Sequence, residues 1–161
     1  MKAGKIMLFI AVLLLPIPLF AGNFMLGGAA TGSVNGDESY GGLTLNTGWS
    51  FFEEPYLTVS ANVTLSPWFE SAGMRLSTAP LIMTEHPFDA LFVNSTIWAP
   101  KLSLGGDYVM DSGCVWTLEI SPFNFRDTDF AYEFLAPGIT FSRDFSQVGY
   151  SVTVLRVTKL F

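Results

Sequence analysis

The chain has a single cysteine, Cys114, and a single histidine, His86, in 161 residues. One thiol closes no internal disulfide, so a small secreted fold stapled by bridges is excluded. One His and one Cys also fall short of the ligand set a transition metal wants. His86 stands in the turn-like Thr84-Glu85-His86-Pro87, with Glu85 and Asp89 nearby but no serine in a recognisable nucleophile context. Nucleophilic catalysis is therefore not expected, and His86 is expected to be solvated. Basic residues are few, eight against fourteen acidic ones for a net charge of −6. That balance argues against nucleic acid and anionic headgroups as partners, since both want a basic face. Neither a phosphate-cradling glycine loop nor a dinucleotide fingerprint occurs, and no cofactor is expected.

Charge of either sign is scarce. Only 14% of residues are charged while half are apolar; a soluble domain carries about a quarter charged residues. Yet after residue 21 no apolar run approaches the ~20 residues a spanning helix needs, and no stretch has convincing helical spacing. A chain short of charge and without a helical span suits a membrane β-barrel, whose outward apolar face is spread over many short alternating strands.

What is present begins with an export signal. Lys2 and Lys5 precede an unbroken apolar run, Ile6 to Leu15, which Pro16 and Pro18 end before Ala21. These are the parts of a secretory signal peptide, with cleavage expected after Ala21. Residues 22–161 remain, one domain by length, expected to be a monomeric barrel. They carry all fourteen acidic residues and six of the eight basic ones.

The period of that part is two. Leu57 to Ser66 alternates apolar and small polar residues without error; Leu43, Leu45, Thr47, Trp49 and Phe51 oppose Thr44, Asn46, Gly48 and Ser50. The same holds for Cys114–Ser121 and Leu102–Tyr108, so each segment has one greasy and one polar side. Cys114 falls on the apolar side, where a buried, unreactive thiol is expected. Turn signals fall at Ser33–Glu38, Glu53–Pro55, Pro67–Gly73, Thr84–Pro87, Asp111–Gly113, Pro122–Asp129 and Arg143–Ser146. Nine candidate segments lie between them: 23–33, 40–52, 56–66, 73–83, 88–94, 95–109, 114–121, 130–142 and 147–161. Single-chain barrels have even strand numbers, so the short 88–94 is assigned to a connection. The expected fold is all-β, an antiparallel up-and-down transmembrane β-barrel of eight strands, or ten if a segment is split. The Ala-Pro pairs at 79–80, 99–100 and 136–137 are read as bulges or strand ends, because proline removes a ladder bond.

The chain ends on Phe161, with Tyr150, Leu155 and Val157 at apolar positions before it and Lys159 where an apolar residue is usual. This terminus resembles the recognition signal of outer-membrane barrels, and by length and pattern residues 22–161 resemble the small OmpA, OmpX and OmpW-type barrels. The resemblance implies an outer-membrane address, the lipid bilayer as surroundings and handling by the barrel-insertion machinery. It selects no substrate. The apolar phase slips between Val154 and Leu155, which predicts a bulge.

Two expectations concern side chains. Aromatic residues cluster near strand ends, as interfacial girdles do. A charge facing lipid at mid-depth costs about 2–4 kcal/mol, so Arg75, Lys101, Asp107, Glu119, Glu133 and Arg156 are expected in the lumen. There they would either pair as structural plugs or line a path for a small solute. The alternative architecture is a soluble periplasmic or secreted lipocalin-like barrel holding an apolar ligand, in which the alternation runs with the opposite sense.

Overall fold

The computed structural model describes residues 23–35, 38–51, 56–65, 69–91, 96–109 and 113–161. The signal-peptide segment 1–21 and the turns at 53–55 and 111–112 lie outside them.

Ten strands run in chain order: β1 (Asn23–Asn35), β2 (Glu38–Phe51), β3 (Tyr56–Leu65), β4 (Phe69–Ala79), β5 (Ile97–Trp98), β6 (Lys101–Val109), β7 (Gly113–Ser121), β8 (Phe123–Arg126), β9 (Phe130–Ser142) and β10 (Val148–Leu160). Two of them are fragments. β5 and β6 are one strand broken at Ala99-Pro100, and β7 and β8 are one strand broken at Pro122, since β9 pairs first with β8 and then with β7. Every neighbour is antiparallel, and β10 pairs with β1 from Met25↔Leu160 to Val34↔Tyr150. The result is a closed, antiparallel, eight-stranded barrel. Closure leaves no free edge, so every strand's ladder groups find partners without water.

The prolines sit where ladders are interrupted. Pro80 follows the last residue of β4, and Pro100 and Pro122 occupy the two breaks. Pro137 lies beyond Gly138↔Glu119, where the β7–β9 ladder stops, two residues from Leu135 at φ 49. A residue with no N–H costs least where no partner carbonyl faces it. The β1–β10 register shifts between Ala30 and Thr31, opposite Leu155 and Thr153. Val154 is thereby left out of the ladder, at the phase slip visible in the sequence.

Strands run further than the turn signals suggest. Phe69–Gly73 belongs to β4, where Ser71 pairs with Val109, and Phe123–Arg126 forms β8, so the second turn shrinks to 127–129. Of the segment 88–94, residues 88–91 are described and form no strand: Asp89–Leu91 is a single 3-10 turn within the long connection from β4 to β5. That connection lies at the barrel end that holds Asn23 and Phe161. At the opposite end the connections are short, as between Asn35↔Glu38 and between Ser142 and Val148.

The lumen as candidate functional site

The sense of the alternation decides what the inside is made of. Leu43, Leu45, Leu104 and Ile120 are 64%, 57%, 52% and 54% exposed, whereas Asn46, Ser103 and Glu119 are 6%, 1% and 2% exposed. Polar side chains fill the barrel and aliphatic ones clothe it. A lipocalin-like interior is thereby overturned, because that architecture needs the apolar set inside. The small hydroxyl and amide residues bond to one another along the inner wall: the Thr44 and Thr64 hydroxyls, on neighbouring strands, lie 3.0 Å apart, and Asn46 Nδ2 donates over Gly27 to Thr158 Oγ1 at 3.4 Å.

Five charged side chains from five strands form one alternating chain at mid-barrel: Arg75 (β4), Glu119 (β7), Arg156 (β10), Glu133 (β9) and Lys101 (β6). Arg75 Nη1 donates to Glu119 Oε1 at 2.9 Å, and Arg156 Nη1 to the same oxygen at 3.1 Å. Glu119 Oε2 accepts from Thr153 Oγ1 at 2.8 Å. Arg156 Nη1 also donates to Glu133 Oε2 at 2.7 Å, and Ser121 Oγ joins there at 2.9 Å. Lys101 Nζ holds Glu133 Oε1. Desolvating each of these ions costs several kcal/mol, which mutual pairing and added hydroxyl bonds offset. Asp107 faces the same way beside Arg75 but makes no direct ion pair among the described residues. With it, β4, β6, β7, β9 and β10 turn three cations and three carboxylates into the lumen.

Glycine keeps the inner wall clear at two positions beside the belt. A Cβ on Gly138 would stand 2.6 Å from Ser151 Oγ and 3.1 Å from Leu118 O, and one on Gly105 would stand 3.4 Å from Arg75 Nε. Small and large residues alternate across a lumen of this width, which eight strands leave only side chains to fill.

On the outside, two aromatic belts bound the aliphatic band. At the end holding the termini, Phe24 packs on Trp49 and Phe161, with ring centroids 5.6 and 5.8 Å apart, and Phe130 stacks on Tyr132. Tyr108, Trp116, Tyr150 and Phe145 mark the other end. Lys159, the departure from the apolar pattern, lies with Nζ 5.0 Å from the Phe161 ring centroid and 5.7 Å from that of Phe130, so its charge rides on aromatic faces. Tyr150, Leu155 and Val157 lie on the outward face of β10, and Phe161, exposed just past its end, donates its N–H to Phe24 O at 2.9 Å.

This chain shares its fold with Neisserial surface protein A. The two superpose with a TM-score of 0.52 at 9% identity, over 87% of this chain and 97% of that one. A de novo designed transmembrane β-barrel gives a TM-score of 0.45 at 12% identity, over 87% and 96%. No protein-family model and no curated protein matches the chain.

Two single residues stand differently from expectation. His86 is enclosed: the connection after β4 folds back over the outer wall, and the His86 ring packs on Phe125, Trp98 and Phe88. Its Nε2 lies 3.1 Å from Thr96 O, 3.3 Å from Thr96 Oγ1 and 3.2 Å from Asp89 Oδ1, contacts that tie the connection to the start of β5. Local sequence looks like a turn because the aromatic cover comes from β5 and β8, distant in the chain. Cys114 is exposed on the outward face rather than buried, because that face meets the surroundings of the barrel and not a protein core.

Sequence reasoning also missed Asn46, Asn62 and Arg126, which line a cavity of about 60 Å³ between the ion-pair belt and the end that holds the termini. The signal was there for Arg126: Phe123 and Phe125 alternate with Asn124 and Arg126, continuing the period of two past Pro122.

Proposed function

We propose that the chain is an outer-membrane barrel whose lumen is closed by its own ion pairs, a structural element of the membrane rather than an open pore. The observation that carries this reading is the belt Arg75–Glu119–Arg156–Glu133–Lys101, which crosses a lumen already narrow enough to be filled by side chains. Passage of even a small solute would require parting buried pairs. The aliphatic band between aromatic belts supports a bilayer as the surrounding medium. In this reading residues 1–21 direct export and are removed, and the outward Tyr150, Leu155, Val157 and Phe161 present the strand read by the insertion machinery.

The reading predicts partition into the detergent phase and a heat-modifiable shift in gel mobility. Its direct test is conductance in planar bilayers. The wild-type barrel is expected to give no steps, whereas a Glu119→Ala, Glu133→Ala double variant, which removes both acidic links, gives small ones. Stable wild-type channels would overturn the closed-barrel reading.

A further inference from the structure

The barrel wall is weakest where β4 meets β5. The ladder between β4 and β6 runs without a break from Ser71↔Val109 to Thr78↔Leu102 and then stops. The two edges meet again only at the isolated bridge Met83↔Trp98, where each N–H donates to the other residue's carbonyl at 2.9 Å. In between, residues 79–82 and 99–101 make no ladder pair with one another. Carried on, the register of Thr78↔Leu102 would set Pro80 opposite Pro100, and neither has an N–H to give. The panel formed by β5 and β8 is also parted from the wall at its upper edge. No pair forms between Glu119↔Gly138 and Phe123↔Phe134, an interval that holds Pro122, Pro137 and Leu135 at φ 49. By contrast β2 and β3 pair continuously from Leu43↔Leu65 to Phe51↔Leu57.

An interrupted ladder that faces a bilayer has to be covered by protein, because hydrocarbon offers its backbone groups no partner. The cover is the connection 80–91. It leaves β4, crosses the outside of β5 and lands on β8: the Phe88 ring packs on Trp98, Phe125 and Phe123, with centroids 5.4, 5.5 and 6.0 Å away. His86 fastens it to Thr96, and Asp89 Oδ2 accepts the His86 N–H at 3.2 Å. Within 80–91 only Met83 makes a ladder contact, so the segment is a strap laid on the wall. Behind the seam lies the lumen cavity, whose wall includes Ser77, Ala79, Lys101 and Asn124.

We propose that the strap 80–91 is the latch of a lateral opening between β4 and β5, through which the lower lumen communicates with the membrane interface while the ion-pair belt keeps the barrel axis shut. Opening breaks the Met83↔Trp98 bridge and the Phe88 ring contacts, and no ladder pair along the seam itself. The proposal rests on the bilayer reading for what lies outside the wall and goes beyond closure of the axis. Conductance reads the axis and thiol access reads the wall, so either can fail alone.

The test is thiol access in vesicles, in a Cys114→Ser background, with a small uncharged methanethiosulfonate. Ser77→Cys, near-isosteric and inward at 3% exposure, reports the cavity; Ser71→Cys, inward on the same strand but outside the cavity, is the control. With the strap intact Ser77→Cys should react slowly. Adding Phe88→Ala should speed it at least about tenfold, since the reagent samples the open population and the ring that opposes opening is gone. Phe88→Tyr, which keeps the ring, should leave the rate as it was, and Ser71→Cys should respond to neither change. Heat-modifiable mobility reports folding of each variant. An unchanged Ser77→Cys rate in Phe88→Ala overturns the proposal, and so does equal acceleration of Ser71→Cys, which marks a general loosening of the barrel. A Ser77→Cys that reacts, with the strap intact, as fast as the exposed Cys114 of the unmodified chain overturns it too, because the cavity is then open at its end.

Discussion

Glu119 joins β4 to β10 through the lumen, because it pairs with both Arg75 and Arg156. Removing it takes from Arg75 its ion-pair partner in a closed interior and leaves Arg156 with Glu133 alone. Glu119→Ala should therefore destabilise the barrel by about 3–5 kcal/mol, the cost of breaking a buried pair from one side. Urea unfolding in lipid vesicles, followed by tryptophan fluorescence, measures it. A loss below ~1 kcal/mol would mean that water already solvates the belt, as it does exposed pairs. On the outer wall the sign of the argument reverses. Leu104→Arg at mid-band should cost about 2–4 kcal/mol in the same vesicles. That charged residues turn inward was legible from alternation and from the cost of a charge in lipid. Which Glu meets which Arg was not. Glu119 and Arg156 are separated by 37 residues, and their meeting is set by the register of intervening strands.

Connections and breaks show the same division between local and distant causes. In the 143–147 loop, Phe145 sits at φ 58, a conformation that L residues rarely take. Asp144 holds the turn: its Oδ1 accepts from Ser142 Oγ at 2.7 Å, Ser146 Oγ at 2.8 Å and Ser146 N–H at 3.2 Å. The bond from Ser142, then those from Ser146, hold its carboxyl at about 2, below the usual carboxylate range. A depressed folded pKa means that its contribution is complete above the unfolded value and is lost as pH falls through the folded one. Hydrogen exchange at Ser146 should therefore accelerate, once corrected for its intrinsic pH dependence, as pH drops from about 4 to 2. In Asp144→Asn that dependence should be gone. Turn chemistry of this local kind was readable at Arg143–Ser146. By contrast Phe69–Gly73 and Phe123–Arg126 look like turns in isolation and are strands in the barrel, because their ladders are completed by β6 and β9. The cover over β5 and β8 was equally hidden. Phe88→Ala, which removes the ring packed on Trp98 and Phe125, should expose the 80–91 connection to limited proteolysis while heat-modifiable mobility is retained. Simultaneous loss of that mobility would mean that the connection is part of the barrel's stability and not a flap laid on it.

At the scale of the whole molecule the sequence specifies strands with two unlike faces but not which face is inside, since a soluble barrel uses the same period. What tilts the choice is the nature of the polar face. Thr44, Asn46, Ser60, Asn62, Ser103 and Thr117 are too small and too uncharged to make a solvent surface, yet they fit a narrow lumen, and there the structure places them. Once that face is inside, the aliphatic face has only hydrocarbon or another protein to meet, and reagents can tell these apart. In a Cys114→Ser background, needed because the native thiol is itself exposed, single cysteines replacing Val59, Val63 and Leu104 should react with a lipid-soluble maleimide in vesicles. They should resist a charged, water-soluble one. Cysteines replacing Ser60 and Ser103 should resist both while the belt closes the lumen, and Ser60 should become reactive to the small charged reagent when Glu119 and Glu133 are replaced by Ala. Prompt labelling of Leu104→Cys by the charged reagent would place the aliphatic wall against water. The bilayer would then be the wrong medium for the face that carries Leu43, Leu45, Leu102, Leu104, Leu118 and Ile120 on β2, β6 and β7.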